Sequence, residues 1–193
     1  MKNIKVIQVI DDTFFLKSKN SKISLTNSQS FKYGKILSLD KAYNDVEKLF
    51  AENSIAISIV GEDVLAIINQ TYSESDRTIL SAFLERLGFS KIIYELEEDS
   101  IPSSYNLIII HNHTSTILID RTTQNFFTID HDLYLEELEV CIINYVKRQE
   151  NIDNIFIYGI NHDLINFAKY LEKNTHKKVY YPNNYDAYPL LIK

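Results

Sequence analysis

Glycine is scarce. There are four, Gly34, Gly61, Gly88 and Gly159, and no two lie close together in the chain. Loops that cradle phosphate need glycines so that backbone amides can approach the ligand closely. The chain therefore carries neither a P-loop nor a dinucleotide fingerprint. Cysteine occurs once, as Cys141, so no intramolecular disulfide can form, and a reducing compartment fits best. No apolar run approaches the ~20 residues that span a bilayer, and residues 1–5 hold no apolar stretch of signal-peptide length. Positive charge is in deficit: 20 Lys and Arg face 26 Asp and Glu, a net −6. That balance excludes a broad basic surface for gripping nucleic acid.

What is present suits a folded globular chain. Hydrophobic residues make up 45% and charged residues 24% of 193 residues, enough for one sizeable core or two small ones packed together. Residues 5–10, 13–17 and 22–25 read as strands joined by polar turns at Asp11-Asp12 and 18–21. Asp40 is a candidate cap for a helix with Tyr43, Val46, Leu49 and Phe50 on one face. Residues 55–60 and 64–69 read as strands flanking a hairpin-type turn at Gly61-Glu62-Asp63. Ser73 and Asp76 form a candidate capping box for a helix with Leu80, Phe83, Leu84 and Leu87 on one face, which Gly88 ends. A strand at 91–96 runs into an acidic stretch, read as a solvated connector.

The same order then recurs. Strands are expected at 106–110, 115–120 and 125–130, followed by a helix from about 132 to 149 whose apolar stripe includes Leu135, Leu138, Cys141, Ile142 and Tyr145. A strand at 154–158, a helix capped by Asn161 and a short strand at 178–181 complete the copy. Two runs of strand-strand-strand-helix-strand-helix predict an α/β fold of two duplicated βββαβα halves, each a mixed sheet with packed helices. The expected division is 1–99 and 100–193.

These segments resemble the actin-like ATPase superfamily: rod-shape, division and pilus-assembly bacterial actins and the heat-shock chaperone ATPase domain. Tyr72-Ser73-Glu74-Ser75-Asp76-Arg77, with the helix ending Leu84-Glu85-Arg86-Leu87-Gly88-Phe89, is similar to a family segment in which an acidic residue and an arginine precede a helix. Residues 106–120 resemble the family's second phosphate hairpin, 138–148 the helix after its third strand, and 154–171 its adenosine-contacting strand, turn and helix. The resemblance is collinear over nearly the whole chain. It implies that 1–99 is an IA-type and 100–193 an IIA-type subdomain of an RNase H-like, actin-like fold. The outer subdomains are missing, because little chain lies before Asp40 or between Arg148 and Asn154.

The resemblance also places the nucleotide cleft, in degenerate form, at Asp11, Asp12, Thr13, His111, Asn112, Thr114 and Gly159. The family's first hairpin reads D-x-G-x-x-x-T; here the turn is Asp11-Asp12-Thr13, without glycine. The second reads D-x-G-G-G-T; here Ile110-His111-Asn112-His113-Thr114 has neither the aspartate nor a glycine. The adenosine turn G-G-G keeps one glycine, Gly159-Ile160-Asn161. Side chains at these turns would occupy space that a phosphate needs, and two carboxylates would repel a triphosphate unless a magnesium ion intervened.

Other chemistry is less well supported. Asp11, Asp12, Asp120 and Asp130 could form a two-metal carboxylate cluster of the RNase H-like nuclease kind, but their spacing argues for solvated turn carboxylates. His111 and His113 would share a strand face and could hold zinc with Asp130-His131-Asp132, but no fourth ligand or supporting partner can be named. Cys141 reads as core. Tyr180, Tyr181, Tyr185 and Tyr188 suit either a contact surface or packing at a sheet edge.

The expectation is therefore a pseudo-ATPase: a non-catalytic, actin-like scaffold without a cofactor or metal. It would act through protein-protein interaction, with itself or with a membrane-associated assembly protein, and would neither bind nucleic acid nor insert directly into a membrane. By analogy the setting is a bacterial pilus, secretion, competence or division apparatus, cytoplasmic and recruited to the inner face of the membrane. The alternative is a weak nucleotide-binding ATPase of the same superfamily.

Overall fold

A computed structural model describes residues 4–10, 12–18, 22–54, 59–69, 71–111, 115–130, 135–159 and 164–181. The chain divides into two compact units, Met1–Asp99 and Ser100–Lys193.

In the first unit, β1 (Lys5–Ile10), β2 (Thr13–Lys17) and β3 (Lys22–Thr26) form an antiparallel meander. β4 (Phe31–Lys32) and β5 (Lys35–Ile36) form a separate small hairpin. α1 (Leu39–Glu52), β6 (Asp63–Ile68), α2 (Glu74–Arg86) and β7 (Lys91–Leu96) follow. The five-stranded sheet has the order β3-β2-β1-β6-β7, with β6 and β7 parallel to β1. β1 is buried on both faces, which suits its largely apolar sequence, while β2 alternates because only one of its faces is fully covered. Phe14, Phe31, Phe50 and Phe83, from β2, β4, α1 and α2, meet at the centre. Their ring centroids lie 5.9 Å (Phe14 to Phe31, stacked, and to Phe83, edge-on) and 6.3 Å (Phe14 to Phe50, tilted) apart.

The second unit repeats the scheme with β8 (Leu107–His111), β9 (Ser115–Asp120), β10 (Asn125–Asp130), α3 (Leu135–Arg148), β11 (Asn154–Gly159), α4 (Leu164–Thr175) and β12 (Lys178–Tyr180). Its sheet runs β10-β9-β8-β11-β12, the same order as the first. Leu107, Ile109, Leu118, Ile155 and Ile157 pack with Leu138, Ile142, Val146, Phe167 and Leu171 of α3 and α4. Ile108, Ile110, Ile117, Ile119, Phe156 and Tyr158 form a second buried cluster on the opposite face of the strands. The fold is α/β with duplicated mixed sheets and packed helices, a reduced actin-like fold. Only residues 149–153 separate α3 from β11, and only the β4–β5 hairpin stands between β3 and α1.

α2 follows its local signals closely. The Ser73 side chain accepts from the Asp76 N–H, the Asp76 carboxylate accepts from the Ser73 N–H, and Gly88 adopts a left-handed φ of 106°. Phe89 N–H then donates to Leu84 O at 3.2 Å and Gly88 N–H to Glu85 O at 2.9 Å, the paired bonds of a Schellman stop.

Several sequence expectations need correction. β6 has parallel neighbours on both sides, so no hairpin pairs across Gly61. Ile59 and Val60 belong to a turn in which Gly61 N–H donates to Gly88 O at 2.8 Å; the rest of the expected 55–60 strand lies outside the described residues. The cap position of α1 is Ser38, and Asp40 lies in the first turn, paired with Arg86. The acidic stretch is not a solvated connector: Glu97 and Glu98 are buried in a 3-10 turn, and Gln8 Nε2 donates to Glu97 Oε1 at 2.9 Å. Cys141 is exposed on α3, so it is not core. Asn161 and residues 185–193 lie outside the described residues. Among the described residues no helix is long and apolar enough to cross a membrane.

Candidate functional site

In open α/β sheets, ligands gather at the carboxyl ends of the parallel strands. In the first unit those ends belong to β1, β6 and β7, and the β1–β2 turn follows directly. Asp11 lies outside the described residues, whereas Asp12 and Thr13 are half-buried in that turn. Thr13 Oγ1 donates to Asp12 Oδ1 at 3.2 Å and lies 2.9 Å from Thr26 Oγ1. Asn27 N–H donates to Asp12 O at 2.9 Å, which ties the turn to the end of β3.

The β4–β5 hairpin reaches this same edge, a contact missing from the sequence expectation. Tyr33 and Gly34 both have positive φ, 55° and 75°, the geometry of a two-residue type I′ turn. A Cβ on Gly34 would lie 3.2 Å from both Val9 O and Asn69 Nδ2, so the hairpin tip already touches the ends of β1 and β6. Tyr72 OH donates to Gly34 O, and burial pushes its phenol well above the ordinary tyrosine range. Lys35 Nζ donates to Thr71 O at 3.1 Å and to Asp76 Oδ2 at 2.7 Å. Burial would raise the Asp76 pKa, but the bonds from Lys35 and Ser73 prevail and hold it below its usual value. The tell-tale was local: Tyr33-Gly34 between Phe31-Lys32 and Lys35-Ile36.

In the second unit, the structure brings His111 and Gly159 together as facing residues of the parallel strands β8 and β11. Asn112 and Thr114 lie outside the described residues. His111 Nδ1 lies 2.9 Å from Thr116 Oγ1 across the hairpin, and Ile110 is buried in the apolar cluster with Ile108 and Ile117. Gly159 has φ 154°, and a Cβ there would sit 2.0 Å from His111 O. The glycine that the sequence offers as a remnant of an adenosine turn is required by the neighbouring strand. The room beside Gly159 is taken by the His111 carbonyl, and Ile110 stands buried among alkyl side chains.

The Asp120 carboxylate accepts four hydrogen bonds, and it is not the solvated turn group expected from the sequence. It is fully buried. Oδ1 accepts from Thr122 N–H at 2.8 Å, Thr122 Oγ1 at 2.6 Å and Thr123 N–H at 3.3 Å, and Oδ2 accepts from Tyr145 OH at 2.6 Å. Burial acts to raise its pKa, but these donors outweigh it and hold the carboxyl below the ordinary range. Burial, then the bond to Asp120, pushes the Tyr145 phenol up to about 12. Nothing in the linear sequence signals the pairing, because Tyr145 reads simply as one residue of an apolar stripe. Among the described residues no three His, Cys, Asp or Glu side chains are placed to share a metal ion; His113, His131 and Asp132 lie outside them.

No family model matches the sequence, and no curated protein matches it. Solved structures do match its fold. The ethanolamine utilization protein EutJ from Carboxydothermus hydrogenoformans superposes with a TM-score of 0.70 at 10% identity, covering 99% of this chain and 87% of EutJ. A type IV pilus biogenesis complex of PilM and PilN gives 0.63 at 8% identity, covering 96% of this chain and 89% of the other. A Bacteroides thetaiotaomicron protein with an actin-like ATPase fold and unknown function gives 0.58 at 14% identity, covering 100% and 96%.

Proposed function

We propose that this chain, which has the actin-like ATPase fold, is a non-catalytic pseudo-ATPase that works through protein-protein contacts in a bacterial assembly apparatus. The close approach of Gly159 to His111 O carries this reading, because it gives the one retained cleft glycine a purely structural reason to exist. The other cleft positions of the proposal, Asp11, Asp12, Thr13, His111, Asn112 and Thr114, would then be remnants of a nucleotide site. A pilus, secretion, competence or division complex on the cytoplasmic face of the membrane is the setting proposed. A protein of the same fold in a complex with PilN supports the general idea that such a scaffold takes protein partners.

A phosphate-release assay tests the claim. The full chain with Mg-ATP is expected to match the protein-free background. Release above background that disappears in Thr13→Ala would instead favour the weak ATPase.

A further inference from the structure

The outer edge of the second sheet is held firmly and covered by nothing among the described residues. β10 pairs with β9 on one side and is the terminal strand of its sheet. The turn that launches it is bolted down by Asp120, through Thr122 and Thr123, and by Arg121, whose guanidinium donates to Pro102 O at 2.8 Å and Ile101 O at 3.0 Å. The strand so presented is exposed from Asn125 to Thr128, with Phe126 45% and Phe127 39% accessible on opposite faces. Residues 122–129, TTQNFFTI, contain no charge.

Edge strands are normally protected by lysine, proline, a bulge or a cover. The first sheet obeys that rule at β3, where Lys22, Ser24 and Thr26 face solvent while Ile23 and Leu25 are half-buried. Among the described residues β10 has none of these safeguards, although it is pre-organised, which lowers the entropic cost of pairing.

Resting on the reading of this chain as an interaction module, we infer that β10 is a self-association surface that pairs antiparallel with β10 of a second copy. A register centred on Phe127 brings no charged side chains of residues 122–129 together. With a two-fold axis there, Phe127 faces Phe127 of the second copy, Phe126 faces Thr128, and Asn125 faces Ile129, so no like charges meet. Aromatic cross-strand pairs are among the most favourable in sheets. Phe127 already packs edge-on against Tyr145 at 5.2 Å, so the contact would extend an aromatic row across both copies. Two short strands bury far less than the ~1,600 Å² of a standard stable interface, so the dimer is weak, with a dissociation constant on the order of 100 μM.

Sedimentation equilibrium of the full chain from about 10 to about 500 μM tests the surface. The mean mass is expected to climb from monomer toward dimer. Phe127→Lys places two like charges on the axis, and Phe126→Lys charges the other face. Each should weaken association at least about ten-fold. Val140→Lys, on the exposed side of α3 at 51% accessibility, should leave it unchanged. Thermal melts check that each variant is folded. Monomer at every concentration, or association indifferent to both β10 lysines, overturns the inference, as does equal weakening by Val140→Lys. Monomeric behaviour would leave the pseudo-ATPase reading standing, whereas ATP turnover would overturn that reading and leave this surface untouched.

Discussion

The carbonyl oxygen of His111 lies 2.0 Å from where a Cβ of residue 159 would be, so only glycine fits beside the end of β8. Gly159→Ala must push the two strands apart or give up its backbone conformation. The expected loss is about 3–5 kcal/mol of folding stability, measured by urea unfolding. Gly61 supplies the control: it also has positive φ, 76°, but nothing lies within 4 Å of a built Cβ. Gly61→Ala should cost only about 1 kcal/mol. Equal losses at the two positions would contradict the steric account.

Asp120→Asn keeps the shape of the side chain but removes the charge that accepts from Thr122, Thr123 and Tyr145. About 2–3 kcal/mol should be lost at pH 7. The folded-state pKa is lowered, so the wild-type advantage is fully present above the unfolded value of about 3.9 and disappears as pH falls through the folded one. Denaturation from pH 7 down to about 2 should therefore show a constant gap that narrows only below about 4. A gap that begins to close near neutrality would assign the effect to another group.

The Tyr145 phenol gives the mirror-image test. Its raised pKa means that its contribution is complete below the unfolded value of about 10 and is lost as pH rises toward about 12. In an absorbance titration of the folded protein at about pH 11, Tyr145 and Tyr72 should remain protonated. Tyr145→Phe should remove one of these late-titrating phenols. If the late titration is unchanged, the Asp120–Tyr145 bond does not persist in solution.

Ser73→Ala removes one half of the capping box on α2 and should cost about 1 kcal/mol, read from the shift in thermal midpoint. Asp76→Ala should cost more, because Asp76 also accepts from Lys35 at 2.7 Å. The reverse ranking would mean that the hairpin tie through Lys35 is idle.

The features that proved legible are those written in neighbouring residues. The buried strands at 5–10 and 107–111 are largely apolar runs, and Ser73, Asp76 and Gly88 mark the ends of α2 by their own chemistry. Features set by distant partners were not legible. Glu97 reads as one charge in an acidic run, because its burial depends on Gln8, far back in β1. Asp120 reads as a turn carboxylate, because the donor that completes its shell is Tyr145 on α3. Cys141 sits one residue from Ile142, but a step of one residue along a helix turns about 100°, enough to leave the core face. The β4–β5 hairpin escaped because its strands are two residues each, too short to show a period. At the candidate cleft, Gly159 was visible, but the reason for it was not: glycine at a strand end looks the same whether a ligand or a carbonyl fills the space.

Calorimetric titration of the full chain with Mg-ATP tests the central claim most directly. A chain whose cleft positions are remnants should show no saturable heat up to millimolar nucleotide, on the order of −4 kcal/mol of binding free energy or weaker. Micromolar binding that is abolished by Asp11→Ala or Thr114→Ala would show a working nucleotide site and contradict the account.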